Sequence, residues 1–258
     1  AFDYPLLSNY ADVKKGLSTG DINRFARLWF EVSYKKIDFF CKSCEESTLS
    51  GQKWFPYIKG GPYRKWGGNK EYVVNWEHDG REVKNFVDER GKQRSRPQNL
   101  KYYFKEGITY SAITTYKFST RYMNNSIFGG GGDCIVPKNN LDFYYIFAFL
   151  NSKVAEQYFK IISPTMNYEV GHILSLPIVR KNAEIDKRIE YLVSANRVIS
   201  DNNWDSYETS WNFLQHPFIT YLKNGLIADS FNEWSNTICT NYNELKANEE
   251  ELNQIFIN

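Results

Sequence analysis

Residues 142–162 read DFYYIFAFLNSKVAEQYFKII, and this stretch divides the chain in two. It holds no Gly or Pro, repeats apolar residues at three- and four-residue steps and is stopped by Ser163-Pro164, so it is expected to be one helix. Upstream, from 51 to about 136, the pattern changes. Short β-branched and aromatic runs at 71–76, 107–116, 126–128 and 134–136 alternate with Gly, Asn and Pro, as small twisted sheets require. Downstream, Leu176-Pro177-Ile178 reads as a short strand or turn, and everything from Ala183 is helix-like, amphipathic, acidic and poor in glycine. The expected fold is therefore α+β: a mixed, β-rich lobe with a central helix over 1–178, then a helical lobe over 179–258. Residues 1–48 stay ambiguous, because the apolar residues of 21–32 fit a short helix or strands equally.

With 258 residues and 42% hydrophobic content the chain can bury a substantial core, as one large domain or two smaller ones. No stretch has the order of a signal peptide or the length of a membrane span, and a chain that starts at Ala1 rather than Met is expected to be a piece of something longer. Four cysteines, with only Cys41 and Cys44 close together, do not make a disulfide framework, so a reducing cytoplasm is the expected location. The Cys41–Cys44 pair lacks the second close Cys or His pair that zinc requires.

Charge is segregated along the chain. Residues 50–125 carry 15 Lys and Arg against 7 Asp and Glu, whereas 180–258 carry 7 against 12. The first excess suits a phosphate-contacting face or an ordinary solvated lysine-rich one, and the acidic C-terminal part suits protein contact.

Catalytic constellations are scarce. Phe128-Gly-Gly-Gly-Gly-Asp133 satisfies the F-x-G-x-G pattern of adenosylmethionine loops, but the upstream residues are polar and Cys-Ile-Val-Pro follows, so a turn between strands is the better reading. The chain has no Pro-Pro for holding a target amine. Glu82-Val-Lys84 with Asp79 or Glu71 resembles a nuclease carboxylate–lysine set only in part, for its proline–aspartate element is missing. What remains is binding. In 53–76, KWFPYIKGGPYRKWGGNKEYVVNW, Lys59, Arg64, Lys65 and Lys70 can neutralise phosphates, Gly60, Gly61, Gly67 and Gly68 permit close backbone approach, and Tyr63 or Trp66 can pack on a sugar or an unstacked base. Arg64 could also fork onto a guanine edge. Trp54 and Trp76 fit a small sheet core as readily, whereas Trp66 is flanked by Lys and Gly.

Blocks at 15–25 (KGLSTGDINRF), 53–61, 64–69, 72–76, 119–122 (STRY), 149–153, 164–167 (PTMN) and 204–213 (WDSYETSWNF) together resemble the specificity region of PglX-type adenine-specific DNA methyltransferases of BREX phage-defence systems, which are related to single-chain restriction-modification enzymes with TaqI-like specificity domains. The resemblance spans most of the chain and implies sequence-specific recognition of double-stranded DNA. It implies no cofactor in this segment, with S-adenosylmethionine and the catalytic residues in an N-terminal methyltransferase domain of the same protein. It adds Ser18, Thr19, Asn23, Arg24, Ser119, Arg121 and Tyr122 as contact candidates, with Arg121 second to Arg64 as a base reader. The helical lobe is expected to pack on the catalytic part or on other BREX subunits. The rival expectation is a protein-interaction scaffold whose basic face meets an acidic phage mimic of DNA.

Overall fold

The computed structural model describes residues 4–180, 182–222 and 225–257. Its strands are β1 (Ala11–Lys14), β2 (Ala26–Leu28), β3 (Trp54–Ile58), β4 (Tyr72–Asn75), β5 (Gly107–Ser111), β6 (Thr120–Met123), β7 (Ile127–Phe128) and β8 (Gly132–Pro137). The helices are α1 (Ile22–Phe25), α2 (Cys44–Leu49), α3 (Glu77–Lys84), α4 (Asn140–Leu150), α5 (Lys153–Ile162), α6 (Val170–Leu174), α7 (Ala183–Asp205), α8 (Pro217–Thr220) and α9 (Ile227–Ile257). The α+β class expected from the sequence is the one observed. The strands form two four-stranded sheets, ordered β1-β8-β5-β6 and β2-β4-β3-β7. The first is antiparallel throughout, and in the second β7 joins β3 in parallel. Pro56 is tolerated inside β3 because β7 pairs only from Tyr57 onward, which leaves the proline with one ladder neighbour, Val73.

The stretch 142–162 is not one helix but two. Asn151 ends α4 and binds the edge of β6: its Oδ1 accepts from Thr120 N at 2.9 Å, and its Nδ2 donates to the Thr120 and Phe147 carbonyls. Ser152 then caps α5, its Oγ accepting from Ala155 N. Two polar residues inside an apolar run thus break the helix by giving its end a partner on the sheet. The ambiguous region 21–32 uses both of its options, a single turn at α1 followed directly by β2.

Alternation sets the layers. Ile108, Tyr110, Tyr122 and Ile135 pack with α4, while Met123 and Cys134 point toward Phe55, Tyr57 and Phe128 of the second sheet. The boundary near 178 does not separate two cores. Ile189, Leu192 and Val193 of α7 and Leu252 of α9 belong to the same cluster as the first sheet and α4. Among the described residues no helix is long and apolar enough to cross a membrane.

Candidate DNA interface

The loop between β3 and β4 was expected to present its cations outward, and the structure turns most of them inward. Leaving the second sheet after Ile58, the loop lies along the edge of β6 in the first sheet, where Trp66 N donates to Thr120 O at 2.9 Å and Tyr122 N to Trp66 O at 2.8 Å. The indole of Trp66 is 1% exposed, packs 5.2 Å from Phe147 and donates to Glu249 Oε1 of α9 at 2.8 Å. Lys65 Nζ meets Glu249 Oε2 at 2.7 Å, and Lys70 Nζ meets Asp201 Oδ1 of α7 at 3.4 Å. Arg64 lies over the Trp204 ring at 5.0 Å and reaches Asn203 Oδ1 at 3.3 Å. The acidic helical lobe therefore occupies the groups that the sequence offered to phosphates. Trp66 is a buried anchor, and Arg64, Lys65 and Lys70 serve as its clamps.

A second correction concerns the STRY block. Ser119, Arg121 and Tyr122 are all buried. Arg121, 1% exposed, projects between the sheets; its Nη2 donates to Ser111 Oγ at 3.1 Å and its Nη1 has no partner among the described residues. Burial lowers its pKa to about 10, partly offset by the charge of Glu71, whose own carboxyl burial pushes up. The Tyr122 hydroxyl donates to Glu106 at 2.8 Å, and its ring lies 3.3 Å from the Arg197 guanidinium. None of the three is open to solvent, and Thr19 is buried as well.

The glycines do permit close approach, but of the protein to itself: Gly61, Gly67 and Gly68 lie against the Asn69, Asp201 and Arg64 side chains, and Gly60 against backbone. A Cβ on Gly16 would collide with Phe128 O, one on Gly131 would meet Lys59 O at 2.6 Å, and Gly60, at φ +91°, lies against Gly131 O. The tetraglycine is a strand-to-strand turn, closed by Gly132 N to Gly129 O at 3.0 Å.

These close approaches join loops from both sheets into one bonded rim. Ser18 and Arg96 exchange two backbone hydrogen bonds, of 3.1 and 2.7 Å; Gly130 N donates to Leu17 O, Gly129 N to Ile58 O, and Ala112 N to Gly131 O. Gln98 and Asn99 side chains donate to the Gly16 and Lys15 carbonyls. Along this rim Lys15, Lys59, Lys92, Arg94 and Arg96 are exposed, and none of their side-chain charges forms an ion pair among the described residues; Asp88 Oδ1 meets Lys92 only at its backbone N, at 2.9 Å. Lys59 rests over the Tyr72 ring at 4.4 Å and Arg94 over Phe86 at 5.3 Å, so each stem is supported while the charge stays free. A row of unpaired cations on a rigid backbone can hold an extended polyanion.

Ser18, Asn23, Lys59 and Tyr63 are thus the exposed members of the expected set that form no ion pair, the last packed edge-on to Tyr116 at 5.0 Å. Arg24 is exposed too, but its Nε and Nη2 reach Glu82 Oε1 at 3.0 and 2.7 Å. Lys92, Arg94 and Arg96 were missed, although three cations at alternate positions of one loop were the signal that could have found them.

The residues suggested for other chemistry do not assemble. Lys84 pairs with Asp79 at 2.6 Å, Glu82 is engaged by Arg24 and Asn75, and Glu71 lies apart, beside Arg121. Cys41 is buried, with its thiol pushed up to about 11, and no cluster of three or more metal-ligating side chains occurs among the described residues. Under the rim, burial raises the Asp133 carboxyl to about 7; its Oδ2 accepts from Tyr110 Oη at 3.4 Å and Lys15 is the nearest favourable charge.

In sequence the chain is similar to a segment of two longer adenine-specific methyltransferases. It is 35% identical over 258 residues to the adenine-specific methyltransferase PglX of Lacticaseibacillus casei (strain Zhang), and 35% identical over 245 residues to the adenine-specific methyltransferase BrxX of Escherichia coli O9:H4 (strain HS). Those alignments cover 97% and 93% of this chain but only 21% and 19% of the relatives, so the chain spans about a fifth of their length. No protein-family model matches it.

Proposed function

We propose that this chain is the target-recognition segment of a longer adenine-specific (N6) DNA methyltransferase of a BREX-type phage-defence or restriction-modification system, and that it holds double-stranded DNA while a separate domain binds S-adenosylmethionine and transfers the methyl group. The observation that carries this reading is the rim of unpaired cations, Lys15, Lys59, Lys92, Arg94 and Arg96, on a chain similar to adenine-specific methyltransferases over nearly its whole length. Because the cations are exposed and unpaired, each phosphate contact releases counterions, and affinity falls as salt rises. Ser18, Asn23 and Tyr63 lie on or beside the same rim, where hydroxyl, amide and ring can meet sugar, phosphate or a base edge. The TaqI-like character of the segment belongs to the same proposal.

The helical lobe has a different surface. Leu214, Ile219, Leu222, Leu226 and Ile227 are exposed around α8 and the start of α9, which favours protein contact there, with the catalytic domain or another subunit. Fluorescence anisotropy of a labelled duplex against the chain at several salt concentrations tests the DNA reading. Saturable binding that weakens steeply with salt is expected, and binding that is absent, or independent of salt, sinks it.

A further inference from the structure

Beside the basic rim two loops are fastened into one projection. Residues 112–118 and 163–168 are joined by backbone hydrogen bonds from Thr114 N to Met166 O at 3.1 Å and from Tyr168 N to Ala112 O at 2.8 Å, with Ile113 opposite Asn167. Ser163 Oγ braces the second loop by donating to Asn167 O at 2.6 Å. At its base, Ala112 N binds Gly131 O at 3.1 Å, so the projection is continuous with the rim. Its tip carries Ile113, 67% exposed, Met166, 56% exposed, and Tyr116, 67% exposed, the last steadied by Tyr63.

Exposed apolar side chains are ordinary singly, and what distinguishes these is that two hydrogen-bonded loops hold them together beside unpaired cations. The cleft behind the tip does not suit an anion, because Glu156 lines it and neutralises both Lys117 and Lys160, at 3.3 and 3.5 Å. The tip is another matter. Lys15, Lys59 and Arg96 stand unpaired along the adjoining rim, to which the projection is joined through Ala112 N and Gly131 O.

We propose that Ile113 and Met166 form an apolar wedge that enters a groove of the bound duplex, partly unstacks a base step and bends the DNA. The wedge rests on the DNA-binding reading above. Apolar side chains between base steps produce kinks of about 20–90°, and a bent duplex brings more of its backbone onto the rim. Methylation of an adenine within a duplex requires the base to leave the stack, which a weakened step makes easier.

The test uses a duplex labelled at both ends, with energy transfer reporting end-to-end distance and anisotropy reporting binding, for the full chain and its Ile113→Ser/Met166→Ser double variant. Binding of the unaltered chain is expected to shorten the end-to-end distance. The double variant should bind with less than about a tenfold loss and an unchanged salt slope, but without the shortening. If both proteins shorten the duplex equally, or if the unaltered chain binds without shortening it, the wedge is refuted while the DNA reading stands. If neither protein shows salt-dependent binding, the DNA reading fails and the wedge fails with it.

Discussion

Two loops of this chain carry similar charge and have opposite fates. The loop between β3 and β4 places Arg64, Lys65 and Lys70 against Asn203, Trp204, Glu249 and Asp201 of the helical lobe. Residues 88–99 carry Lys92, Arg94 and Arg96 to the rim, where none of their side-chain charges forms an ion pair among the described residues. The difference comes from the aromatic between the cations. Trp66 has enough apolar surface to be drawn into the core beside Phe147, and the neighbouring lysines follow it toward the acidic helices. The 88–99 loop has no such ring at its tip, so its cations stay in water. A cation beside a tryptophan is thus a poor guide to an exposed phosphate site, even in a segment whose composition suggests one.

The largest effect that can break this contrast is at Trp66. Trp66→Ala should cost about 3–5 kcal/mol of stability, which is a fall of roughly 2–4 °C in Tm for each kcal/mol, readable by thermal denaturation. Duplex affinity of the folded variant, measured well below its Tm, should change little. A strong loss of affinity with unchanged Tm would instead make Trp66 a contact residue.

Asp133 sharpens the contrast through pH. Its folded pKa of about 7 lies above the ordinary 3.8, so the protonated form is favoured in the folded state. Stability is therefore greatest below the ordinary value and declines as pH rises toward 7, by on the order of 2–4 kcal/mol in all. Asp133→Asn should flatten that decline in denaturant titrations between pH 4 and 8. Since Lys15 is the favourable charge nearest Asp133, the variant should also lessen any weakening of duplex binding as pH passes 7.

Glu249 should give a smaller change. Glu249→Gln keeps an acceptor for the Trp66 indole but removes the charge opposing Lys65, and should cost about 1–2 kcal/mol in denaturant titrations while leaving the rim intact. A gain in duplex affinity beyond what one released cation explains would show that the clamp competes with DNA.

The α+β class and most strands of 51–136 were legible because β-branched runs between glycines and prolines leave few alternatives. The break at Asn151-Ser152 was not, since it depends on Thr120 of β6, 31 residues away. The candidate interface was legible in composition but not in residue. Burial of Trp66 and Tyr122 is decided by long-range packing of α4, α7 and α9, and that of Arg121 by the approach of the two sheets, whereas the exposure of Ser18, Lys59 and Tyr63 could be anticipated because each stands next to a turn. The glycines at 60, 61, 67 and 68 were expected to let a ligand approach, and their close neighbours are the protein's own atoms: backbone at Gly60, and the Asn69, Asp201 and Arg64 side chains at the other three.

The most direct measurement of the contrast is the salt dependence of duplex binding for the unaltered chain, for Arg94→Ala/Arg96→Ala and for Lys65→Ala/Lys70→Ala. If the rim holds phosphates and the clamp does not, the first pair lowers the slope of log affinity against log salt by about two units with little change in Tm. The second pair lowers Tm and leaves the slope unaltered. A slope that falls for Lys65→Ala/Lys70→Ala and stays constant for Arg94→Ala/Arg96→Ala would contradict the account.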